Sequence, residues 1–304
     1  MMSIQQRLLN LYARWMQKPT LALVSNVPLS RKMYDLNAFM IHKTPMGYRE
    51  KPLPLAHDDR SIPATICATH NRATHGTLMY LHGGGFMIGS LKGSGHLVTG
   101  LAEQSGQRGV YVDWRLAPEH PFPAGLDDAE AAFMALHADP ASGPITVAGD
   151  SAGGNLTLAL IHRLLAKGAP LPAAAVCFSP IVDLRLVNRS LETNQKRDPL
   201  VPMSWGKRGV AAYLNGQDAT NPEISPLFGT FKGACPILIQ YDTTEVLYDD
   251  CRLIAAKLRK DGVAVTETIK TGLPHVWQYH LGRSPEANSS VAEAAAFMKS
   301  HIEA

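Results

Sequence analysis

The sequence predicts an α/β fold, with a mostly parallel central sheet that is covered by helices on both faces. The first observation behind this prediction is that short apolar runs alternate with longer segments of helical periodicity along most of the 304 residues. The second is that 45% of the residues are hydrophobic and 18% are charged, which supplies enough apolar side chain for one large core. Short apolar strands that alternate with helices are typical of βαβ units, whose strands are buried on both sides.

The predicted strands and helices follow one another regularly from residue 63 to residue 301. Seven short apolar runs are predicted strands: 63–67, 77–81, 109–114, 145–149, 173–178, 236–241 and 265–269. Five longer segments repeat their apolar residues at intervals of three and four, and these are predicted helices: 96–105, 127–137, 155–166, 249–260 and 291–301. Since the sequence contains neither an internal repeat nor a Gly/Ser-rich linker, we expect a single domain over residues 1–304.

Two stretches interrupt this alternation. Residues 1–45 and about 186–232 contain apolar helical patches that no strand follows. In open α/β folds, ligands bind at the carboxyl edge of the sheet. We therefore expect these two stretches to form a cap over that edge.

Composition and charge argue against several classes of function. Lys and Arg exceed Asp and Glu by 29 − 26 = +3, and the basic residues form no block of the kind that binds nucleic acid. The four cysteines include no CxxC pair, and no run of about 18 apolar residues could span a membrane. The N-terminal 20 residues have an amphipathic pattern but lack the apolar segment of a signal peptide. We therefore expect a soluble cytoplasmic protein without nucleic-acid or membrane partners.

Ser151 is the candidate nucleophile, because residues 149–153 (GDSAG) match the G-x-S-x-G motif. The motif follows the predicted strand 145–149 and precedes the predicted helix 155–166, so the serine is expected on a sharp turn at the top of the sheet. Small neighbours are needed there because the turn crowds them. A glycine-rich turn with a capping serine is the alternative, but it does not require a strand before the motif and a helix after it.

Three consecutive glycines indicate where the backbone would approach a substrate. They lie in the segment HGGGF at 82–86, directly after the predicted strand 77–81. Such a loop is one half of an oxyanion hole, with the N–H groups of Gly84 and Gly85 joined by that of Ala152. A phosphate-binding loop is excluded because the sequence contains no G-x-x-x-x-G-K-[ST] motif.

The catalytic base is expected C-terminal to the serine, since the order serine, acid, histidine along the chain accompanies this nucleophile motif. His275, His280 and His301 follow a plausible acid. His301 falls in the last predicted helix, whereas His275 follows the last predicted strand in a loop that can reach across to Ser151. We therefore choose His275 as the base.

The residues alone leave the catalytic acid open. Asp242 and Glu245 both lie on the loop that leaves the predicted strand 236–241. Asp249 and Asp250 instead fit the start of the next helix, where carboxylates are common caps. The acid must hold the imidazole tautomer and stabilise the imidazolium, and spacing does not tell which of the two loop carboxylates does so.

Taken together, the motifs resemble the bacterial hormone-sensitive-lipase-like esterases of the α/β-hydrolase fold. The matching segments are HGGGF at 82–86, RLAPEHPFPA at 115–124, GDSAGG at 149–154, EVLYDD at 245–250, GVAV at 262–265 and PHVWQ at 274–278. They cover most of the chain from about residue 60 onward. The resemblance implies an α/β-hydrolase fold with a helical cap. It also implies that Glu245, two residues before a leucine, is the acid, with Asp242 in reserve because many members carry aspartate.

The activity implied by the resemblance is hydrolysis of short to medium carboxylic esters through Ser151, His275 and Glu245, without a metal or other cofactor. A lactone, aryl-ester or amide hydrolase would share the same triad, and a non-catalytic binding protein would normally have lost one of its members. Candidate substrate-binding residues adjoin the motifs or fall in or near the predicted cap: Gly83, Phe86, Asp150, Leu184 and Tyr213. The expected partner is a small-molecule ester, and exposed edge strands would permit a homodimer.

Overall fold

An eight-stranded sheet forms the centre of the fold. The computed structural model describes residues 2–69 and 75–303. In chain order the strands are β1 (Arg49–Pro52), β2 (Leu55–His57), β3 (Arg60–Ile62), β4 (Ala64–Ala68), β5 (Thr77–Leu81), β6 (Arg108–Val112), β7 (Ile145–Asp150), β8 (Ala174–Phe178), β9 (Ile237–Asp242) and β10 (Val265–Lys270). The order in the sheet is β1-β4-β6-β5-β7-β8-β9-β10, while β2 and β3 pair separately. Strands β5 to β10 pair in parallel, whereas β1 and β4 are antiparallel to their neighbours.

Helices cover both faces of this sheet. They are α1 (Ile4–Tyr12), α2 (Lys18–Leu23), α3 (Val27–Ile41), α4 (Leu91–Ser105), α5 (Ala124–Ala138), α6 (Ala152–Lys167), α7 (Ser190–Thr193), α8 (Met203–Leu214), α9 (Tyr248–Lys260) and α10 (Pro285–Ile302). A single π-helical turn, Ala13–Gln17, joins α1 to α2. None of the helices among the described residues is long and apolar enough to cross a bilayer.

Each strand in the middle of the sheet is apolar on both sides because helices cover both. Along β5, Leu78 and Tyr80 pack with α4 and α10, whereas Met79 and Leu81 pack with α5 and α6 on the opposite face. All four side chains are fully buried. This two-sided burial is the physical reason why continuous apolar runs predicted parallel strands.

The α/β fold class predicted from the sequence is confirmed, and its seven strands and five helices are all present. The helices α4 and α10 begin five and six residues earlier than their apolar periodicity indicates. Their first turns are polar and are held instead by capping, in which Ser90 Oγ accepts from Gly93 N and Ser284 Oγ from Ala287 N. The strands β1 to β3 were not predicted, because they are short and mostly exposed.

The strand order reverses at β5, which lies between β6 and β7. At such a point the loops that leave the neighbouring strands diverge and open a crevice at the carboxyl edge. The HGGGF segment leaves β5 at this edge, and Ser151 directly follows β7.

Two segments outside the sheet meet beside this crevice. One contains α1 to α3, and the other contains α7 and α8 between β8 and β9. Arg208 of α8 donates to the carbonyl oxygens of Leu21 (2.8 Å) and Val24 (3.3 Å) near the end of α2. These are the segments for which the sequence predicts a cap, and both contribute to the cavity described below.

Candidate active site

Ser151 occupies a strained turn between β7 and α6. Its backbone has φ 52° and ψ −113°, a region that side-chain-bearing residues rarely adopt. The turn is possible because Gly153 lets the start of α6 approach β5: a Cβ there would lie 1.9 Å from the carbonyl oxygen of Leu81. The Ser151 N–H donates to the carbonyl oxygen of Phe178 at 2.8 Å, which fixes the turn to the neighbouring strand β8.

Three backbone amides near Ser151 are left without a hydrogen-bond acceptor among the residues described: those of Gly84, Gly85 and Ala152. Gly84 has φ +114°, and a Cβ on it would lie 2.0 Å from the carbonyl oxygen of Ile88, so only glycine fits. Ala152 is the first residue of α6, where an N–H has no partner within the helix. The loop therefore holds unpaired donors near the serine, as an oxyanion site requires.

Asp150 connects the HGGGF loop (82–86) to the strands beneath it. Its Oδ1 accepts hydrogen bonds from Tyr80 Oη (2.7 Å), Gly83 N (2.9 Å) and Tyr279 Oη (3.0 Å). Burial raises the pKa of this carboxyl, although the three hydrogen bonds act in the opposite direction. Asp150 borders the cavity, but its contacts show that it braces the protein around the site.

His275 and Glu245 are in direct contact. His275 Nδ1 lies 2.7 Å from Glu245 Oε2, and both side chains are buried. The other oxygen of Glu245, Oε1, accepts from Ser179 Oγ (2.9 Å) and from the Asp242 N–H (2.7 Å). The carboxylate is thereby held in one orientation with one oxygen facing the imidazole.

The charges around His275 favour its protonated form. Burial acts to lower the pKa of the imidazole. The hydrogen bond to Glu245 and the negative charge of Glu245, with smaller effects of Asp198 and Asp150, outweigh burial and raise the pKa above its ordinary value.

Asp242, the other carboxylate that the sequence left open, binds backbone instead of the imidazole. Its Oδ1 accepts from Thr244 N (2.7 Å), Thr244 Oγ1 (2.6 Å) and Gly272 N (3.1 Å), and its Oδ2 accepts from Leu273 N (2.9 Å). It thus ties the loop that carries Glu245 to the loop that carries His275. The geometry separates the two carboxylates into one that faces the histidine and one that holds the loops.

A cavity of about 290 Å³ opens at this edge of the sheet. Its floor is formed by Gly84, Asp150, Ser151 and His275. The remaining wall is mostly apolar and comes from both segments of the cap region, including Met16, Leu21, Val24, Met33, Leu200, Val201 and Trp205. The indole of Trp205 packs against Gly85, so a side chain from α8 lies directly over the HGGGF loop.

Four of the five predicted substrate-binding residues do not border this cavity. Phe86 stacks on Tyr213 with ring centroids 3.9 Å apart, and both rings are buried in the core, as is Leu184. Gly83 lies under the loop, where its N–H is taken by Asp150. Leu184 and Tyr213 therefore do not fit the prediction that they bind the substrate, because the sequence does not tell which side chains of these segments face the cavity and which pack inside.

Two residues that position Glu245 and its loop were not predicted from the sequence. Ser179, which directly follows β8 and has φ 47°, donates to Glu245. Asp198 is fully buried and accepts from the N–H groups of Leu200 (2.7 Å), Val201 (3.0 Å) and Val246 (3.0 Å), joining the cap region to the Glu245 loop. Ser179 could have been found from its place at the carboxyl end of a parallel strand, whereas no spacing rule identifies Asp198.

Comparison with known proteins gives a family and close structural neighbours. The family described as having the alpha/beta hydrolase fold matches residues 78–279. An acetyl-hydrolase of Streptomyces hygroscopicus is 38% identical over 224 residues, which are 73% of this chain and 75% of that protein. An esterase of Acinetobacter venetianus is 34% identical over 73% of this chain and 74% of its own.

Solved structures extend the similarity to nearly the whole chain. The esterase EstE5 superposes with a TM-score of 0.91 at 31% identity, covering 99% of this chain and 100% of its own. An esterase from the bacterial hormone-sensitive lipase family gives a TM-score of 0.90 at 30% identity, with 99% of both chains covered. Since only about 1% of this chain lies outside the superposition, the N-terminal helices belong to the shared structure.

Proposed function

The chain belongs to the α/β-hydrolase family, among its hormone-sensitive-lipase-like esterases, and we propose that it hydrolyses short to medium carboxylic esters through Ser151, His275 and Glu245. Relatives named acetyl-hydrolase and esterase support the reaction class. The observation that carries the proposal is the 2.7 Å contact between His275 Nδ1 and Glu245 Oε2, with His275 and Ser151 on the floor of one cavity.

In the first half of the reaction an acyl-enzyme forms. His275 Nε2 removes the proton of Ser151 Oγ as this oxygen attacks the ester carbonyl carbon. The negative charge that develops on the carbonyl oxygen is stabilised by the free N–H groups of Gly84, Gly85 and Ala152. When the carbon–oxygen bond to the alcohol breaks, His275 gives its proton to the leaving oxygen.

In the second half water replaces the alcohol. His275 takes a proton from the water as its oxygen attacks the acyl carbon, and the same amides hold the oxyanion. Collapse of this intermediate breaks the bond to Ser151 Oγ, which recovers its proton from His275, and the free acid leaves. Glu245 keeps the Nδ1 proton of His275 in place during both halves.

The size of the cavity supports a preference for short to medium acyl chains. A volume of about 290 Å³ is at the lower end of the range for small-molecule sites, which starts near 300 Å³. Its apolar wall suits an alkyl chain, and its volume leaves little room for the long chains of triglycerides.

Turnover of p-nitrophenyl acetate, butyrate, octanoate and palmitate by wild type and by Ser151→Ala tests the proposal. We expect turnover of the short esters to be highest and to fall in the variant by about 10⁶-fold in kcat, as is typical of a lost serine nucleophile. The matched control is Ser300→Ala, since Ser300 is exposed near the end of α10 and should leave turnover unchanged.

Undiminished turnover in Ser151→Ala would contradict the mechanism. If Ser151→Ala removed turnover but palmitate were the best substrate, the triad would stand and the proposed acyl range would be wrong. Absence of turnover by the wild type would contradict the proposed substrate class and direct the search to lactones and amides.

A further inference from the structure

Helix α1 is oriented against the usual rule that a helix buries its apolar side. Four large apolar side chains of this helix and the π-helical turn recur at intervals of four, three and four, and each is more than half exposed: Ile4, Leu8, Leu11 and Trp15. Leu9 is half-buried. The buried residue of the helix is polar, since Gln6 is fully enclosed. A helix on a globular protein normally places its apolar stripe against the core.

Specific polar contacts fix this orientation. Gln6 Nε2 lies 3.1 Å from His280 Nδ1, and Asn10 Nδ2 donates to the carbonyl oxygen of Gly272 at 2.7 Å. Ser3 Oγ donates to Glu286 at 2.7 Å. The polar side of α1 is thus held against the segment 272–286, which includes His275, and its apolar side is turned to solvent.

The neighbouring helix α3 extends the exposed apolar area. Tyr12 Oη donates to Asn37 Oδ1 at 2.8 Å, so the C-terminal end of α1 meets α3 at this point. Of the fourteen large apolar side chains exposed among the described residues, eleven belong to residues 2–46. We call this area the cap apolar face and define it by six of them: Leu8, Leu11, Trp15, Leu36, Phe39 and Met40.

Positive charge is concentrated in the same segment. Residues 1–46 carry six Lys and Arg and one Asp, a net charge of 6 − 1 = +5, whereas the remaining 258 residues carry 23 − 25 = −2. Arg7, Lys32 and Lys43 are exposed and form no ion pair within the described part of the chain. The free charge therefore accompanies the apolar face.

The cap apolar face reaches the cavity that contains Ser151 through two of its residues, Leu36 and Met40, and Met16 lies at the same rim. Met16, Leu36 and Met40 are each more than half exposed, and each also borders the cavity that contains Ser151. Apolar side chains that meet solvent therefore also border the cavity that contains the candidate nucleophile.

We propose that the cap apolar face docks on the surface of a lipid bilayer that carries anionic headgroups, so that lipophilic esters enter the cavity directly from the bilayer. Apolar helix faces flanked by Lys and Arg bind at the boundary of headgroups and acyl chains, and Trp and Phe favour this depth. Anionic lipid attracts each nearby basic residue. The entry of esters rests on the proposed function, whereas the docking does not.

The charge also decides between a bilayer and a second copy of the chain. A symmetric dimer through this face would bring the same patch of both copies together and oppose two segments of +5. An anionic bilayer instead complements the charge and accepts the apolar side chains. The bilayer is therefore the occupant that satisfies both features of the face.

Co-sedimentation with vesicles tests the docking. We expect the wild type to bind vesicles of phosphatidylcholine with phosphatidylglycerol at least about tenfold more strongly than vesicles of phosphatidylcholine alone. Trp15 is exposed whereas Trp114, Trp205 and Trp277 are buried, so tryptophan emission should shift to the blue on binding through Trp15. Ser151→Ala should bind as the wild type does, which separates docking from catalysis.

Two variants and a control assign the binding to the face. Trp15→Ser with Phe39→Ser should lower vesicle binding by about tenfold or more, and Arg7→Gln with Lys32→Gln and Lys43→Gln should lower it by about a hundredfold. The matched control is Val187→Ser with Ile269→Ser, which removes exposed apolar side chains elsewhere and should bind as the wild type does. Because Trp15 and Phe39 do not border the cavity, turnover of dissolved p-nitrophenyl butyrate should persist.

Equal binding of the wild type to both kinds of vesicle would overturn the proposal, as would a loss in the control equal to the loss in the face variants. Analytical ultracentrifugation supplies the other decisive outcome. A dimer that Trp15→Ser with Phe39→Ser dissociates would show that a second copy occupies the face.

Discussion

The carboxyl edge of the sheet and the cap region are built by opposite means. At the edge, polar side chains such as Asp150, Asp242 and Glu245 are buried and each accepts several hydrogen bonds. In the cap region, long basic side chains hold the segments together, as when Lys18 Nζ donates to the carbonyl oxygen of Asp198 at 2.7 Å. Large apolar residues there remain in solvent.

The two regions meet different requirements, proton transfer at the edge of the sheet and substrate binding in the cap region. A proton transfer needs its donors and acceptors fixed to within a fraction of an ångström, which buried and fully paired groups provide. Substrate entry tolerates a cavity wall whose side chains are held less firmly. We therefore expect changes at the edge to act on kcat or on folding, and changes in the cap region to act on KM.

The largest expected effect at the edge is that of Glu245→Gln. The Oε1 position receives two donors, Ser179 Oγ and the Asp242 N–H, so the amide oxygen of glutamine must face them. Its NH₂ group then faces His275 Nδ1 and drives the imidazole proton to Nε2, where it blocks acceptance of the serine proton. We expect kcat to fall by about 10⁴-fold with little change in KM for p-nitrophenyl butyrate.

The control for this change is Asp242→Asn. Because Asp242 binds backbone and hydroxyl donors only, its loss should weaken folding by about 1–3 kcal/mol in urea titrations and lower kcat far less than Glu245→Gln. If Asp242→Asn were the more damaging to kcat, the assignment of Glu245 as the acid would be wrong.

A matched pair of glycine substitutions compares the packing of the two regions. Gly153→Ala would place a Cβ 1.9 Å from a backbone oxygen, and we expect a loss of about 3 kcal/mol or more in the free energy of unfolding. Gly206→Ala on α8 meets no atom within 4 Å and should raise that free energy by about 0.5–1 kcal/mol through helix propensity. Denaturant midpoints measure the effects of both substitutions. Equal destabilisation by the two would contradict the expected difference in packing between the regions.

The pH dependence of kcat/KM examines the electrostatics of the edge. The base must be neutral, and the pKa of His275 is raised by Glu245, so the acid limb of the wild type should lie above the ordinary imidazole value of about 6.5. Glu245→Gln removes the negative charge that raises this pKa, whereas burial of His275 still lowers it. The acid limb of the residual activity should therefore move to lower pH. A limb that did not move would indicate that another group controls it.

The smallest effect is expected in the cap region, from Arg208→Ala. Loss of its hydrogen bonds to Leu21 and Val24 frees α2, which lines the cavity, while Ser151, His275 and Glu245 keep their contacts. We expect KM for p-nitrophenyl butyrate to rise roughly three- to tenfold, the equivalent of about 1 kcal/mol, at nearly constant kcat. The neighbouring exposed Lys207→Ala is the control, and a fall in kcat equal to the rise in KM would contradict the separation of the regions.

Much of the edge was predictable because its chemistry is tied to local sequence. Ser151 and the three glycines of HGGGF could be placed because each follows a strand whose two-sided burial makes it continuously apolar. His275 followed from chain order. The choice between Asp242 and Glu245 depended on resemblance, because both lie on the same loop and only their hydrogen-bond partners in the fold distinguish them.

The sequence by itself determined the fold class, the positions of the G-x-S-x-G serine and of the HGGGF loop after their strands, and the two stretches expected to form the cap, since strand burial, glycine geometry and motif order are all local properties. Only the tertiary structure decided which carboxylate faces His275, that Leu184 and Tyr213 pack inside, and that α1 turns its apolar side to solvent. Those outcomes depend on contacts between segments far apart in the chain, such as Gln6 with His280, which no periodicity encodes.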